Sequence, residues 1–342
     1  MFGLFATAPF VRRSYADCSG CSLCFLVCPM WRESHDPRLT PEGIAKALQC
    51  GARASDLVAA LEACSLCGAC DPVCPERIDL PGLIMDLRKE LGDRPQFHEA
   101  RNRGLSPISA PISAISGEPA RSAGVPLLLP GAALRAEPAL LARIQALLGL
   151  AIGDDDGEDL SQALELGVEI PPARLHSFLA SLRGHSIVAA DGLLLRQLRR
   201  WLPGSQRLSL GAALSTRAAV RSKLAAGDLY VIEARAYHAD YERMVDYYNR
   251  LQLETGCSLS LDLQRIAIPA VAQGLSRKSG KTCGDDYAQA KWILKGRQPS
   301  RIVVESLADR AAFERVCQVP VVHLAELGED AAMIKRNPHA FG

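Results

Sequence analysis

Apolar positions follow one rhythm in the first ninety residues and another beyond residue 125. In "RLTPEGIAKALQCGARASDLVAALEAC", Pro41 with Glu42 opens a helix and Gly51 ends it, while Leu57, Val58, Leu61 and Cys64 set the period of a second. "IDLPGLIMDLRKEL" places apolar residues at 80, 83, 84, 87 and 91 and predicts a third helix. Later the apolar runs are short and read as β-strands: "VPLLL", "SIVAA", "LYVIE", "RIVVE" and "VPVVHL". They are followed by helical periods such as "RMVDYYNRLQLE" or "DRAAFERVC", and strands alternating with helices imply an α/β domain. The likeness of "SIVAADGLLLRQLRRWLP" to "RIVVESLADRAAFERVCQVP" implies two related lobes, about 125–205 and 225–342, joined near "LPGSQRLSLG". Between the two rhythms, "GLSPISAPISAISGEPARSAG" (104–124) has no apolar period and reads as a linker. The expected architecture is α plus α/β: a helical domain over 1–103, the linker 104–124, and a two-lobed α/β domain over 125–342.

Composition adds room and neutrality. The chain has 342 residues, enough for two domains, and its 48% hydrophobic content supports packed cores. Lys plus Arg total 39 against 38 Asp plus Glu, so no bulk positive field favours nucleic acid or anionic lipid. The apolar opening "MFGLFATAPFV" precedes Arg12 and Arg13, the reverse of a secretory signal, and a cytoplasmic location is expected. The strongly apolar stretch "VPLLLPGAAL" holds two prolines and falls short of the ~20 residues of a spanning helix, leaving peripheral association as the expected form of membrane contact.

Cysteine placement changes the picture most. Nine of the 12 cysteines lie in the first 74 residues, and without an export signal they argue against a disulfide framework. "CSGCSLCFLVCP" and "CSLCGACDPVCP" are one row repeated: Cys18, Cys21, Cys24 and Cys28 recur 46 residues later as Cys64, Cys67, Cys70 and Cys74. The spacing C-x2-C-x2-C-x3-C-P is that of bacterial ferredoxins, where three thiolates wrap one [4Fe–4S] cube and the fourth reaches the other. Two such clusters are expected, one held by Cys18, Cys21, Cys24 and Cys74, the other by Cys64, Cys67, Cys70 and Cys28. Pro29 and Pro75 suit the first turn of a helix begun by the fourth cysteine. Gly20, Gly68 and Ala69 let the backbone approach inorganic sulfur.

Zinc also takes four thiolates, but its structural sites separate two C-x2-C knuckles by a longer loop, whereas here three positions are fused. Cys50 has no ligand spacing and reads as a buried structural thiol. Cys257, Cys283 and Cys317 are 26 and 34 residues apart and could supply a third cluster only with a non-cysteine ligand. His35, His238 and His323 lack partners at ligand spacing and read as surface or packing residues. "GLSRKSGKT" misses the phosphate-loop spacing by one residue, no G-x-G-x-x-G stands in the chain, and the aromatics of "HADYERMVDYYNR" read as core or interface packing.

The connector and second row, "RLTPEGIAKAL…ALEACSLCGACDPVCPERIDLPGLI", resemble the α-helical ferredoxin domain of the iron–sulfur subunits of glycolate oxidase and heterodisulfide reductase, and more distantly of succinate dehydrogenase. The later half resembles a worn form of that family's cysteine-rich repeats. Ala132 stands in the first cysteine slot, and Asp191, Gly192, Leu193 and Leu194 stand where a Cys-Pro-x-Cys turn would be. Leu307 to Arg310 fill the matching turn of the second repeat, and Thr282-Cys283-Gly284 is a remnant of a Cys-Cys-Gly. The resemblance implies an electron-transfer subunit, not catalytic alone, in a complex with a flavoprotein dehydrogenase carrying FAD or FMN, relaying electrons to a quinone or other carrier. It also offers an alternative, a heterodisulfide-reductase-like subunit whose C-terminal half is catalytic.

Overall fold

The computed structural model describes residues 13–91, 126–271, 274–275, 285 and 287–328. The linker expected at 104–124 lies outside them, as does Cys283.

The first block is helical: α1 (Leu23–Val27), α2 (Pro29–Ser34), α3 (Pro41–Gln49), α4 (Val58–Ala63) and α5 (Leu80–Glu90), with short 3-10 turns between. Thr40 begins α3, its Oγ1 accepting the Gly43 N–H at 3.1 Å, and Gly51 leaves it with φ +91°. The apolar periods read from the sequence become one core in which Ile44, Leu48, Leu57, Leu61, Ile84, Leu87 and Leu91 meet. One expectation fails. Pro29 does open α2, but Pro75 opens only a turn. Arg77 adopts φ +53°, and the next helix waits for Asp79, whose Oδ1 accepts the Gly82 N–H at 3.1 Å.

The second block holds two four-stranded sheets, each wholly parallel. Strands β1 (Leu127–Leu129), β2 (Ala151–Ile152), β3 (Ile187–Ala189) and β4 (Arg207–Ser209) lie in the order β2-β1-β3-β4. Strands β5 (Asp228–Val231), β6 (Ser258–Leu259), β7 (Arg301–Val304) and β8 (Val321–His323) repeat that order as β6-β5-β7-β8. The stretch expected at the join, "LPGSQRLSLG", supplies β4, so the first sheet runs past residue 205.

The helices of this half are α6 (Gly131–Arg135), α7 (Pro138–Leu148), α8 (Glu158–Leu166), α9 (Pro172–Ser181), α10 (Gly192–Trp201), α11 (Leu210–Ser215), α12 (Ala218–Arg221), α13 (Ala234–Ala239), α14 (Tyr241–Thr255), α15 (Ala288–Leu294) and α16 (Leu307–Val316). Strand alternation sorts the core into layers. Leu128 and Val188 of the first sheet, and Tyr230 and Val303 of the second, face a shared middle layer with Ile144, Leu214 and Tyr248. Leu127, Leu129 and Ile187 face outward onto Leu160, Phe178 and Leu198; Leu229, Ile302 and Val304 do so onto Ile293 and Phe313. The helical block packs on the outer helices of the first lobe, where Leu164 and Leu193 join its core. This brings the second cysteine row against the α/β half.

Candidate functional site

Each cysteine row is wound by two left-handed residues at the same offsets. In the first, Gly20 and Ser22 have φ +77° and +62°; in the second, Leu66 and Gly68 have φ +54° and +78°. Alternating handedness turns successive amide N–H groups toward one side and makes a concavity suited to anions and iron–sulfur sites. The Leu66 N–H lies 3.4 Å from Cys64 Sγ in that orientation. Leu66 is buried and pays a steric cost of about 1–2 kcal/mol for a conformation glycine adopts freely.

The eight thiols gather around two cavities. One is lined by Cys18, Cys21, Cys24 and, from the other row, Cys74. The second is lined by Cys64, Cys67, Cys70 and, again from the other row, Cys28. Pro41 and Leu80 line both, so the two cavities are neighbours. Among the described residues no group of three or more His, Cys, Asp or Glu is arranged to hold a single metal ion. The thiols instead surround spaces, the arrangement a polynuclear cluster needs when each sulfur binds its own iron.

Burial works against charge on these sulfurs. It pushes the Cys24 and Cys28 thiols up to about 12, and raises Cys67 and, well above the usual thiol range, Cys70, beside which Asp71 adds repulsion. Metal ligation requires thiolate, so only a cationic core in the cavity offsets that cost. The thiol donors and the amide concavities fit an iron–sulfur cluster in each cavity.

The two environments differ. Cys21 is exposed and Cys18 half-buried, so the first cavity lies at the surface. The second is gripped by the α/β half. Arg235 of α13 donates to the Ser65 carbonyl at 2.7 Å and to Glu165 Oε1 at 2.6 Å. His238, one turn later, sits 2.7 Å from the Cys67 carbonyl, and burial depresses its imidazole to about 4, so it is neutral. Arg196 of α10 pairs with Asp71, just past Cys70, and with Asp79 at 2.7 Å. From below, the fully buried Arg88 donates to the carbonyls of Leu61 at 2.6 Å and Cys64 at 2.5 Å, and to that of Glu165 at 2.6 Å. Gly167 makes this approach fit, since a Cβ there would stand 2.4 Å from that of Arg88.

Sequence reasoning missed Arg88, Arg196 and Arg235 because nothing in their spacing marks them, and it assigned His238 no specific role. His35 fits the expectation for a surface residue, ending α2 with φ +51° edge-on to Trp31, and His323 is buried packing. Cys50 is a correction: it is exposed, because the last residue of the α3 cap faces away from the Ile44–Leu48 stripe. Cys257 is buried in the middle core and Cys317 packs at the outer layer of the second lobe, so these two are not brought together. Of "GLSRKSGKT" only Gly274 and Leu275 are described, with Gly274 pressed against the Glu62 and Ala63 carbonyls.

The slots where cysteines would stand serve the fold. Asp191 caps α10 through the Leu194 N–H at 2.6 Å, and Leu193 and Leu194 are core. Leu307 packs against the middle core and Arg310 pairs with Glu314 and Glu326, while Asp309 between them is buried behind Ser306, the cap of α16. Nearby, Glu305 accepts from the hydroxyls of Tyr230 at 2.7 Å and Tyr248 at 2.5 Å, and from the Glu233 N–H at 2.9 Å. Burial raises Glu233, Glu305 and Asp309 each to about 7.

Among known protein families, a model described as a 4Fe-4S dicluster domain matches residues 14–78, a span that holds all eight cysteines of the two rows. No curated protein and no solved structure matches the chain. No helix among the described residues is long and apolar enough to cross a membrane.

Proposed function

We propose that this iron–sulfur protein carries two [4Fe–4S] clusters, one on Cys18, Cys21, Cys24 and Cys74 and one on Cys64, Cys67, Cys70 and Cys28, and relays electrons as a subunit of a flavin-dependent dehydrogenase. The observation that carries the reading is the sharing of thiols: each cavity takes three from one row and the fourth from the other. Such clusters supply one-electron exchange at potentials set by hydrogen bonds and exposure. The chain's own residues divide the labour. The thiols bind, and the left-handed pairs aim amides inward. Arg235, His238, Arg196 and Arg88 fix the second loop and keep it dry, while the exposed Cys21 marks the side where a partner approaches.

In this reading FAD or FMN resides on a partner flavoprotein, and a quinone or another carrier takes the electrons onward. The α/β half serves as housing for the second centre and as docking surface. Its ligand slots hold Asp191 as a helix cap, Leu194 in the core, Leu307 packed against the core and Arg310 paired with Glu314 and Glu326, which favours this reading over a catalytic heterodisulfide-reductase-like half. The location is cytoplasmic, with peripheral membrane contact through a partner.

Anaerobic co-purification tests the assignment. The expected result is a flavoprotein whose substrate bleaches the visible absorbance of this chain, with no substrate oxidation by the chain alone. Disulfide reduction by the isolated chain, abolished by Cys283→Ala, would contradict it.

A further inference from the structure

A cavity of about 690 Å³ lies away from the thiols, in the cleft between the two lobes of the α/β half. That volume is within the range of roughly 300–1,000 Å³ typical of small-molecule sites. The first lobe contributes β3, β4 and α10; the second contributes the end of α13 and the start of α14. Its floor is apolar, with Leu150, Val188, Leu195 and Met244. Its rim is not.

Four guanidiniums stand on that rim, Arg199, Arg207, Arg217 and Arg243, against a single carboxylate, Asp240. Arg199 and Arg243 both pair with Asp240. Arg217 donates to the Leu148 carbonyl at 2.7 Å, and Arg207 to the Leu202 carbonyl and to Ser205 Oγ, the latter at 3.0 Å. Burial, then the charges of Arg199 and Arg243, push Arg207 below the usual guanidinium range, with Asp240 only partly opposing them. A chain near neutrality overall thus concentrates an unbalanced charge of about three positives at one cavity mouth. Carbonyls satisfy hydrogen bonds of Arg207 and Arg217 without neutralising them, so the excess positive charge stays at the cavity mouth.

We propose that this interlobe cleft binds a phosphate-bearing organic anion of nucleotide size, its aromatic or apolar body on the Val188–Met244 floor and its phosphates across Arg207, Arg243 and Arg199. The planar fork of arginine matches phosphate oxygens in pairs, and a ligand with two or three negative charges balances the rim. A simple inorganic anion leaves the apolar floor uncovered, and a neutral quinone leaves the guanidiniums uncompensated. The site is independent of the cysteine rows, so its test does not depend on cluster content. Yet it adjoins them: α10 and α13 present Arg199 and Ala236 to the cleft, and Arg196 and His238 to the second cysteine loop.

Isothermal titration of the full chain with ADP, pyrophosphate, adenosine and citrate, each alone, tests the assignment. ADP is expected to bind with a micromolar dissociation constant, pyrophosphate at least tenfold more weakly, and adenosine and citrate not measurably. Arg207→Ala and Arg243→Ala should each weaken ADP by tenfold or more. Arg243 is 56% exposed, so its loss cannot be ascribed to unfolding. Arg221→Ala, a substitution outside the cleft, should change nothing. Absence of ADP binding, binding indifferent to both cleft substitutions, or citrate binding as tightly as ADP would each overturn the proposal.

Discussion

His238 places its Nδ1 2.7 Å from the carbonyl oxygen of Cys67, across 171 residues of sequence. A carbonyl only accepts, so Nδ1 carries the proton; Nε2 is buried without a hydrogen-bond partner. A residue of the second lobe thereby holds the middle of the second C-x2-C-x2-C loop. His238→Ala should broaden and shift the paramagnetic resonance of the reduced second centre and leave the first unchanged. His238→Asn, whose amide donates from nearly the same position, should restore most of the signal. Equal damage to both centres would mean that the contact serves general folding.

The shared lining of the cavities predicts crossed effects. Cys28→Ser should perturb the centre of Cys64, Cys67 and Cys70, and Cys74→Ser that of Cys18, Cys21 and Cys24. Resonance spectra of the two variants should report opposite centres. Damage confined to the mutated row would contradict the crossover.

Arg88 joins the helical block to α8 through the carbonyls of Leu61, Cys64 and Glu165. Arg88→Met leaves the Leu61, Cys64 and Glu165 carbonyls unmet in a dry interior and should cost about 3 kcal/mol or more in urea unfolding. The exposed Arg183→Met should change stability by less than about 0.5 kcal/mol.

Buried acids set a pH slope. The carboxyl of Glu305 titrates at about 7 in the folded chain and in the ordinary range near 4.5 when unfolded. Between those values the folded state binds more protons, so this group's contribution to stability is lost as pH rises from about 4.5 to 7. His323 acts oppositely: burial lowers it to about 4, and its contribution is lost as pH falls from about 6.5 to 4. Glu305→Gln should reduce the decline in denaturant midpoint expected between pH 5 and 7, leaving the share due to Glu233 and Asp309 and the opposite slope due to His323.

The helical block was legible because α3, α4 and α5 bury apolar stripes, and α3 and α5 carry their own caps, Thr40 and Asp79. Strands β1, β3, β5, β7 and β8 stood out as apolar runs. Strands β2, β4 and β6 did not, since two or three edge residues such as Ala151–Ile152 or Ser258–Leu259 carry no period. The thiols were found by spacing. Their supports were not, because Arg88, Arg196, Arg235 and His238 act through backbone carbonyls and aspartates that only tertiary folding brings near. Pro75 misled for a local reason: the left-handed Arg77 stops a helix that the proline itself would permit.

Iron and acid-labile sulfide per chain, measured after anaerobic purification, bear most directly on the central claim. Two cavities with four thiols each predict about eight iron and eight sulfide. Stoichiometric zinc without iron would contradict it, and a reproducible twelve iron would show a third cluster that this account denies.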